Sequence, residues 1–204
     1  MLSFAKQYKA LRGTRLVREV YQRYPYYAIR SEIIDQVLPS AKDREKVDAA
    51  RPSRKTPGLL TIGYEGKSLE TYLNQLIKAG VALLCDVRRN PLSRKYGFSK
   101  STLSQACRTV GIDYEHIPDL GIASSERRNI SDKEDYVELF VAYRKNSLPK
   151  NQAAVDQIKN WVTKCEQRVA LTCFERDPFH CHRHCVAEAI SKQTDSKLIP
   201  LHLP

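Results

Sequence analysis

From residue 59 onward the chain alternates short, nearly all-apolar runs with amphipathic stretches, and this alternation limits its fold more than any other feature. "LLTIGYEG" (59–66), "VALLCDVR" (81–88) and "RVALTCFERD" (168–177) are apolar on both phases of the two-residue strand period before they end in charge. Each is therefore predicted as a strand buried on both faces. "IDYEHIPDLG" (112–121) and "KLIPLHL" (197–203) are further strand candidates. Between them, helical spacing runs through "SLETYLNQLIKAG" (68–80), "KSTLSQACRTVG" (100–111), "DKEDYVELFVAYRK" (132–145), "NQAAVDQIKNWVTKC" (151–165) and "CHRHCVAEAISKQ" (181–193). Strands alternating with helices predict an α/β domain over residues 59–204. Its sheet is mostly parallel and covered by helices on both faces, a Rossmann-like arrangement.

The first 58 residues have a different pattern. Phe4, Tyr8 and Leu11, then Leu16, Val17, Val20 and Tyr21, recur at helical spacing, with Gly13 between two short helices. "RSEIIDQVLPS" is a third short helix, with Ser31 at its start and Pro39 after its end. "AKDREKVDAARPSRKTPG" (41–58) is charged, carries prolines and is predicted as a linker. Residues 1–58 hold 13 Lys/Arg against 6 Asp/Glu, a net of +7 out of +11 for the whole chain. A basic helical extension on a milder domain points to a polyanion, nucleic acid or a nucleotide, as partner; the other reading is a solubilising face.

Several classes are set aside by composition. No apolar run approaches the roughly 18 residues of a membrane span. The start has neither the long apolar core nor the small-residue cleavage site of a secretory signal. Six cysteines in 204 residues are too sparse for a small disulfide-built domain, so free thiols and a cytoplasmic location are expected.

A parallel sheet binds ligands at the carboxyl ends of its strands. Here those ends carry Tyr64, Glu65 and Lys67; Asp86 and Arg88, with Arg94 and Lys95 in the next loop; His116 and Asp119; and Glu175, Arg176 and Asp177. Charged groups so placed can meet in one cleft without crossing the core. Asp86 and Arg88 could instead pair and brace the sheet. Ser93, Arg94, Lys95 and Ser99 could grip phosphate or lie in a solvated loop.

"LTCFERDPFHCHRHC" (171–185) is the densest stretch. A structural zinc usually shows paired ligand sets, whereas Cys181, His182 and Cys185 form one compact set with Cys173 across a turn. No metal or other cofactor is therefore expected, with zinc or iron at Cys181, His182 and Cys185 the lesser alternative. A phosphatase-type Cys-x5-Arg loop is excluded, because residue 187 is Ala and residue 191 is Ser. A helix start beside Arg183 would favour either a reactive Cys181 thiolate or a bound anion. The anion is the expectation here, with Arg183 holding it.

"TIGYEG", "DVRRNPLSRKYGFSK", "YEHIPDLG" and "LTCFERDPFHCHR", in that order and at these separations, resemble a prokaryotic family, domain of unknown function 488, over about residues 59–200. The resemblance implies a single α/β domain. It places the family's Asp-Val-Arg, Cys-x-Glu and Cys-His-Arg motifs on Asp86 to Arg88, Cys173 to Glu175 and Cys181 to Arg183. No reaction comes with it, and residues 1–58 lie outside it.

Two functions follow as expectations. The first is a hydrolase-type enzyme on a nucleic acid or nucleotide-like anionic substrate, whose phosphate or glycosidic bond it would cleave. Glu175 and Asp86 would do acid–base work, His182 would orient a neighbour, and Cys181 would be an alternative nucleophile. Tyr64, Glu65, Arg88, Arg94, Lys95 and Arg183 would bind substrate. The second is a non-catalytic module that binds DNA or RNA, or senses a small ligand.

Overall fold

The computed structural model describes residues 8–51, 56–123, 126, 133–194 and 198–204. The chain divides into two compact units, Met1–Ser53 and Arg54–Pro204.

In the first unit, α1 (Gly13–Arg23), α2 (Ile34–Val37) and α3 (Ala41–Ala49) are helical. The Arg18 side chain donates to the Val37 carbonyl at 2.7 Å and Arg44 to the Leu38 carbonyl at 2.7 Å, which ties the short helices together. The expected linker was wrong over its first half, because residues 41–49 form α3. Its Ala, Lys and Glu residues are good helix formers, Val47 buries one side, and the prolines begin only at Pro52. Phe4, and with it most of the first expected helix, lies outside the described residues.

The second unit is built on a five-stranded sheet: β1 (Gly58–Gly63), β2 (Leu83–Asp86), β3 (Asp113–His116), β4 (Arg168–Cys173) and β5 (Leu201–His202). Its order is β3-β2-β4-β1-β5, and every pairing is parallel. The helices are α4 (Leu69–Lys78), α5 (Lys100–Thr109), α6 (Lys133–Ala142), α7 (Gln152–Thr163) and α8 (Arg183–Lys192). A π-helical turn, Tyr143–Ser147, follows α6. The final strand is shorter than its apolar run because Pro200 has no N–H to give a neighbour.

The strands divide their side chains between two cores, as doubly buried strands must. Leu59, Cys85, Val169 and Leu171 face α7 and α8 through Val155, Ile158, Val186 and Ile190. Leu60, Ile62, Leu84 and Ala170 face α4 and α5 through Tyr72, Leu76 and Leu103. Tyr72, Leu76 and Leu103 are fully buried, and each contributes about 1.5–3 kcal/mol. Tyr72 also donates its hydroxyl hydrogen to Thr172 at 2.6 Å, so its polar end is satisfied within the core. The start of α4 is held by the Ser68 hydroxyl, which accepts from the Thr71 amide at 3.1 Å.

Register aligns the carboxyl ends. Gly63 pairs with Cys173, Asp86 with Thr172, and Asp86 with His116. Because β4 lies between β1 and β2, the residues that follow Cys173 emerge between Tyr64 and Arg88.

Candidate active-site cleft

A cleft of about 350 Å³ opens at these strand ends. Tyr64, Arg88, Arg94, Lys95 and Glu175 line it, five of the residues singled out in the sequence. Asn90, Ser93, Cys173 and Phe174 line it as well.

Its wall is organised by one buried ion pair. Asp86 is fully buried and Arg88 is 4% exposed. The Arg88 Nε donates to both Asp86 oxygens at 2.8 and 3.1 Å, and Nη2 donates to Oδ2 at 2.5 Å. Asp86 also accepts from the Arg88 amide at 3.1 Å and from the Tyr114 hydroxyl at 2.6 Å. Its carboxylate is thus fully engaged and stands behind Arg88, outside the cleft lining. The expectation of Asp86 as an acid or base does not fit this setting; bracing, the other reading of the pair, does. Burial acts against the Arg88 charge, but the hydrogen bonds and charge of Asp86 outweigh it, so Arg88 is held cationic above the ordinary arginine range. Arg88 Nη1 spends its two hydrogens on the Tyr64 hydroxyl and the Phe98 carbonyl, each at 2.9 Å. Of its five donors, one hydrogen on Nη2 is left uncommitted among the described residues.

Tyr64 is 3% exposed and stacked on Phe98 at 4.4 Å, so its ring face is covered. Phe174 packs its edge against Tyr64 at 5.3 Å and is 43% exposed. The aromatic surface open to a ligand is therefore Phe174, which the sequence reading did not single out. Lys95 donates to the Tyr64 carbonyl at 3.1 Å, and Arg94 is exposed with no hydrogen bond or ion pair among the described residues. Ser93 and Ser99 are occupied within their own loop: Ser99 accepts from the Ser93 amide and donates to its carbonyl, both at 3.1 Å. Glu65 is exposed and accepts from the Arg176 amide at 2.9 Å, which ties the ends of β1 and β4 together outside the cleft lining.

Glu175 reaches the cleft because Gly63 has no side chain: a Cβ there would meet the Glu175 carbonyl oxygen at 1.8 Å. Burial pushes the Glu175 carboxyl upward, but hydrogen bonds from the Cys181 thiol and the backbone, the neighbouring His182 ring and a hydrogen bond from Cys173 outweigh it and hold the group below its usual range. Arg183 is fully buried beneath this turn and does not line the cleft. It donates to the Glu175 carbonyl at 2.6 Å and the Arg176 carbonyl at 3.1 Å. The expected substrate contact of Arg183 is thereby replaced by a backbone-positioning role.

Cys181 and His182 are 1% and 3% exposed and lie under the cleft. Burial, and then Cys173, push the Cys181 thiol well above the ordinary range, so as a free thiol it is protonated and unsuited to nucleophilic attack. Cys173, Cys181 and His182 bring one ligating atom each to within 4.8 Å of one another. Cys185 stands apart, with its sulfur 3.4 Å from His184 Nε2. His184 is itself occupied by the Cys181 carbonyl and by Arg144 at 2.8 Å. The ligand group that the sequence suggested through Cys185 is thus replaced by one through Cys173, which the order of the strands brings across the turn. Neighbouring His116 donates from Nε2 to the Arg88 carbonyl at 2.9 Å, a supporting contact.

The model of the family described as domain of unknown function DUF488 matches residues 68–190. The chain belongs to the DUF488 family. The matched segment runs from the first residues of α4 into α8 and carries Asp86, Arg88, Arg94, Lys95, Glu175, Cys181, His182 and Arg183. Gly63, on β1, and Tyr64, just after it, precede the match to the DUF488 model. No curated protein and no solved structure matches the chain.

Proposed function

We propose that this DUF488 protein is a hydrolase-type enzyme acting on a nucleic acid or nucleotide-like anionic substrate. The observation that carries the reading is one cleft lined, among the described residues, by a single carboxylate, Glu175, and three cations, Arg88, Arg94 and Lys95. Three cations around one carboxylate favour an anionic ligand, and the planar fork of arginine suits phosphate. Exposed Phe174 offers a face on which a base can stack.

In this reading Arg88, locked by Asp86 and Tyr64, supplies a fixed donor to the substrate's phosphate. Arg94 and Lys95 supply further positive charge from the loop that lines the cleft. Glu175 takes a proton from attacking water as the general base, and the cations stabilise negative charge as it develops. Asp86 and Arg183 act through others, Asp86 on the Arg88 guanidinium and Arg183 on the Glu175 backbone.

Nucleic acid is favoured as the substrate class by the first unit. Arg12, Arg15, Arg23, Arg30 and Lys42 are exposed there, with Tyr24 and Tyr27 exposed among them. Cations interleaved with aromatics suit a phosphate backbone carrying bases. No helix among the described residues is long and apolar enough to cross a membrane.

The test is to incubate the full chain with single-stranded DNA, duplex DNA, RNA and a nucleotide mixture, and to identify products by mass spectrometry. Cleavage of a phosphate or glycosidic bond in one of these, lost on Glu175→Gln in a chain shown to be folded, is the expected result. Tight binding with no product from any of them would favour a binding module instead.

A further inference from the structure

Beneath the cleft, Cys173 and Cys181 bring their sulfurs to 3.8 and 4.0 Å from His182 Nδ1. His182 bonds the Val87 carbonyl through Nε2 at 2.9 Å. A carbonyl can only accept, so Nε2 carries the hydrogen and Nδ1 presents its lone pair to the two sulfurs. A histidine whose far nitrogen donates to a backbone carbonyl is oriented as metal-bound histidines are. A tetrahedral zinc with ordinary bond lengths spaces its nitrogen and sulfur ligands roughly 3.5–3.8 Å apart. Each sulfur–nitrogen distance therefore needs to close by only a few tenths of an ångström for the three residues to share one ion.

We propose that Cys173, Cys181 and His182 bind one divalent zinc-type ion through two thiolates and an imidazole, with a fourth position open toward the cleft. The inference rests on the hydrolase reading for its chemistry, but not for the binding itself.

Three observations favour this ligand set. All three residues are buried, and two sulfurs with one nitrogen suit zinc better than the hard cations that prefer oxygen. Two thiolates balance a divalent charge, so an occupied site adds no net positive charge beside Arg176 and Arg183. Cys173 and Glu175 also line the cleft, which puts the cluster directly beneath its floor.

Glu175 has a separate place. It lines the cleft beside Cys173, yet it is not part of the group whose ligating atoms all lie within 4.8 Å. Three protein ligands with a nearby non-ligating carboxylate is the arrangement of a water-activating metal. A water in the fourth position would give its proton to Glu175, and its oxygen would bond to the substrate's electrophilic centre. The electron pair of the broken bond would leave with the departing group, which would take the proton back from Glu175.

The test uses the full chain, purified under reducing conditions from zinc-supplemented culture and analysed for metal. About one zinc per chain is expected, lost in Cys173→Ser and in His182→Ala and retained in Cys185→Ser and Cys165→Ser. Cobalt(II) added to the metal-free protein should give thiolate-to-cobalt absorption bands of a tetrahedral site, with circular dichroism confirming that each variant is folded. If the cysteine variants fail to fold, the cobalt spectrum of the wild-type chain alone decides. Folded protein without bound zinc and without those bands overturns the inference. So does a Cys173–Cys181 disulfide in the active protein, or metal undiminished in a folded Cys173→Ser chain. Glu175→Gln should keep the metal, and its loss would overturn the open fourth position. Metal without turnover of any substrate would leave the ion in place and remove the hydrolase reading; turnover without metal would do the reverse.

Discussion

Gly63 and Glu175 lie so close that a single methyl group between them is impossible: a Cβ on Gly63 would sit 1.8 Å from the Glu175 carbonyl oxygen and 2.6 Å from its carbonyl carbon. The clash is with backbone, which cannot swing aside as a side chain would. Gly63→Ala is therefore expected to move the 175–176 turn, to weaken both Arg183 contacts that hold it, and to cost about 1–3 kcal/mol of stability. Urea unfolding measures the cost. The companion change Gly66→Ala meets no atom within 4 Å, so any loss there comes from backbone strain at φ +75° and leaves the turn in place.

The Asp86–Arg88 pair is expected to behave as a structural ion pair at the edge of the cleft. Arg88→Met leaves Asp86 buried with its charge uncompensated, and about 3–5 kcal/mol should be lost. Tyr114→Phe removes one hydrogen bond to the same carboxylate and should cost about 1.5–3 kcal/mol. Denaturant midpoints of the two variants and their combination check this. A combined loss smaller than the sum would show that both act on Asp86.

The strand–helix alternation and the charged strand ends made the parallel sheet and much of the cleft legible in the sequence. "VALLCDVR" announces a buried strand that delivers Arg88, and the structure lines the cleft with Tyr64, Arg88, Arg94, Lys95 and Glu175. What the sequence could not show is the order of the strands. Residue spacing does not reveal that β4 inserts between β1 and β2, or that the turn after Cys173 folds back over Cys181. Cys173 was therefore set apart from a cluster to which it belongs. Arg183 was misplaced for a related reason: an arginine at a helix start is equally suited to an anion and to nearby carbonyls, and only the fold of the 175–176 turn decides. The helix at 41–49 was obscured by prolines that lie beyond its end.

Lys67 supplies a pH prediction. It is 8% exposed and donates to the Gly63 carbonyl at 2.6 Å. Burial, and then the charges of Arg183, Arg176 and Lys95, lower its pKa from 10.5 to about 8. Below about 8 both folded and unfolded chains carry the proton, and the cost of the buried charge is constant. Between about 8 and 10.5 the unfolded chain binds more protons, so the Lys67 contribution to stability rises with pH. The stability difference between wild type and Lys67→Met should shift in favour of wild type across that window. Parallel curves, or an amine titrating near 10.5 by NMR, would contradict the assignment.

Binding of a short single-stranded oligonucleotide separates two contacts in the cleft. Phe174→Ala should weaken it by about 1–3 kcal/mol through lost stacking, whereas Tyr96→Ala, exposed but outside the lining, should leave it unchanged. Arg94→Ala should lower the slope of log affinity against log salt by about 1, as expected for one phosphate contact. Fluorescence anisotropy at a series of salt concentrations measures both.

The most direct test of the hydrolase reading is turnover and binding measured side by side for wild type and Glu175→Gln on the same nucleic-acid or nucleotide substrate. The substitution keeps the shape of the side chain and removes its charge and its basicity. The account predicts substrate binding retained and turnover reduced by about 10²–10⁴-fold, the usual contribution of a general base. Turnover unchanged in a folded Glu175→Gln chain would contradict it.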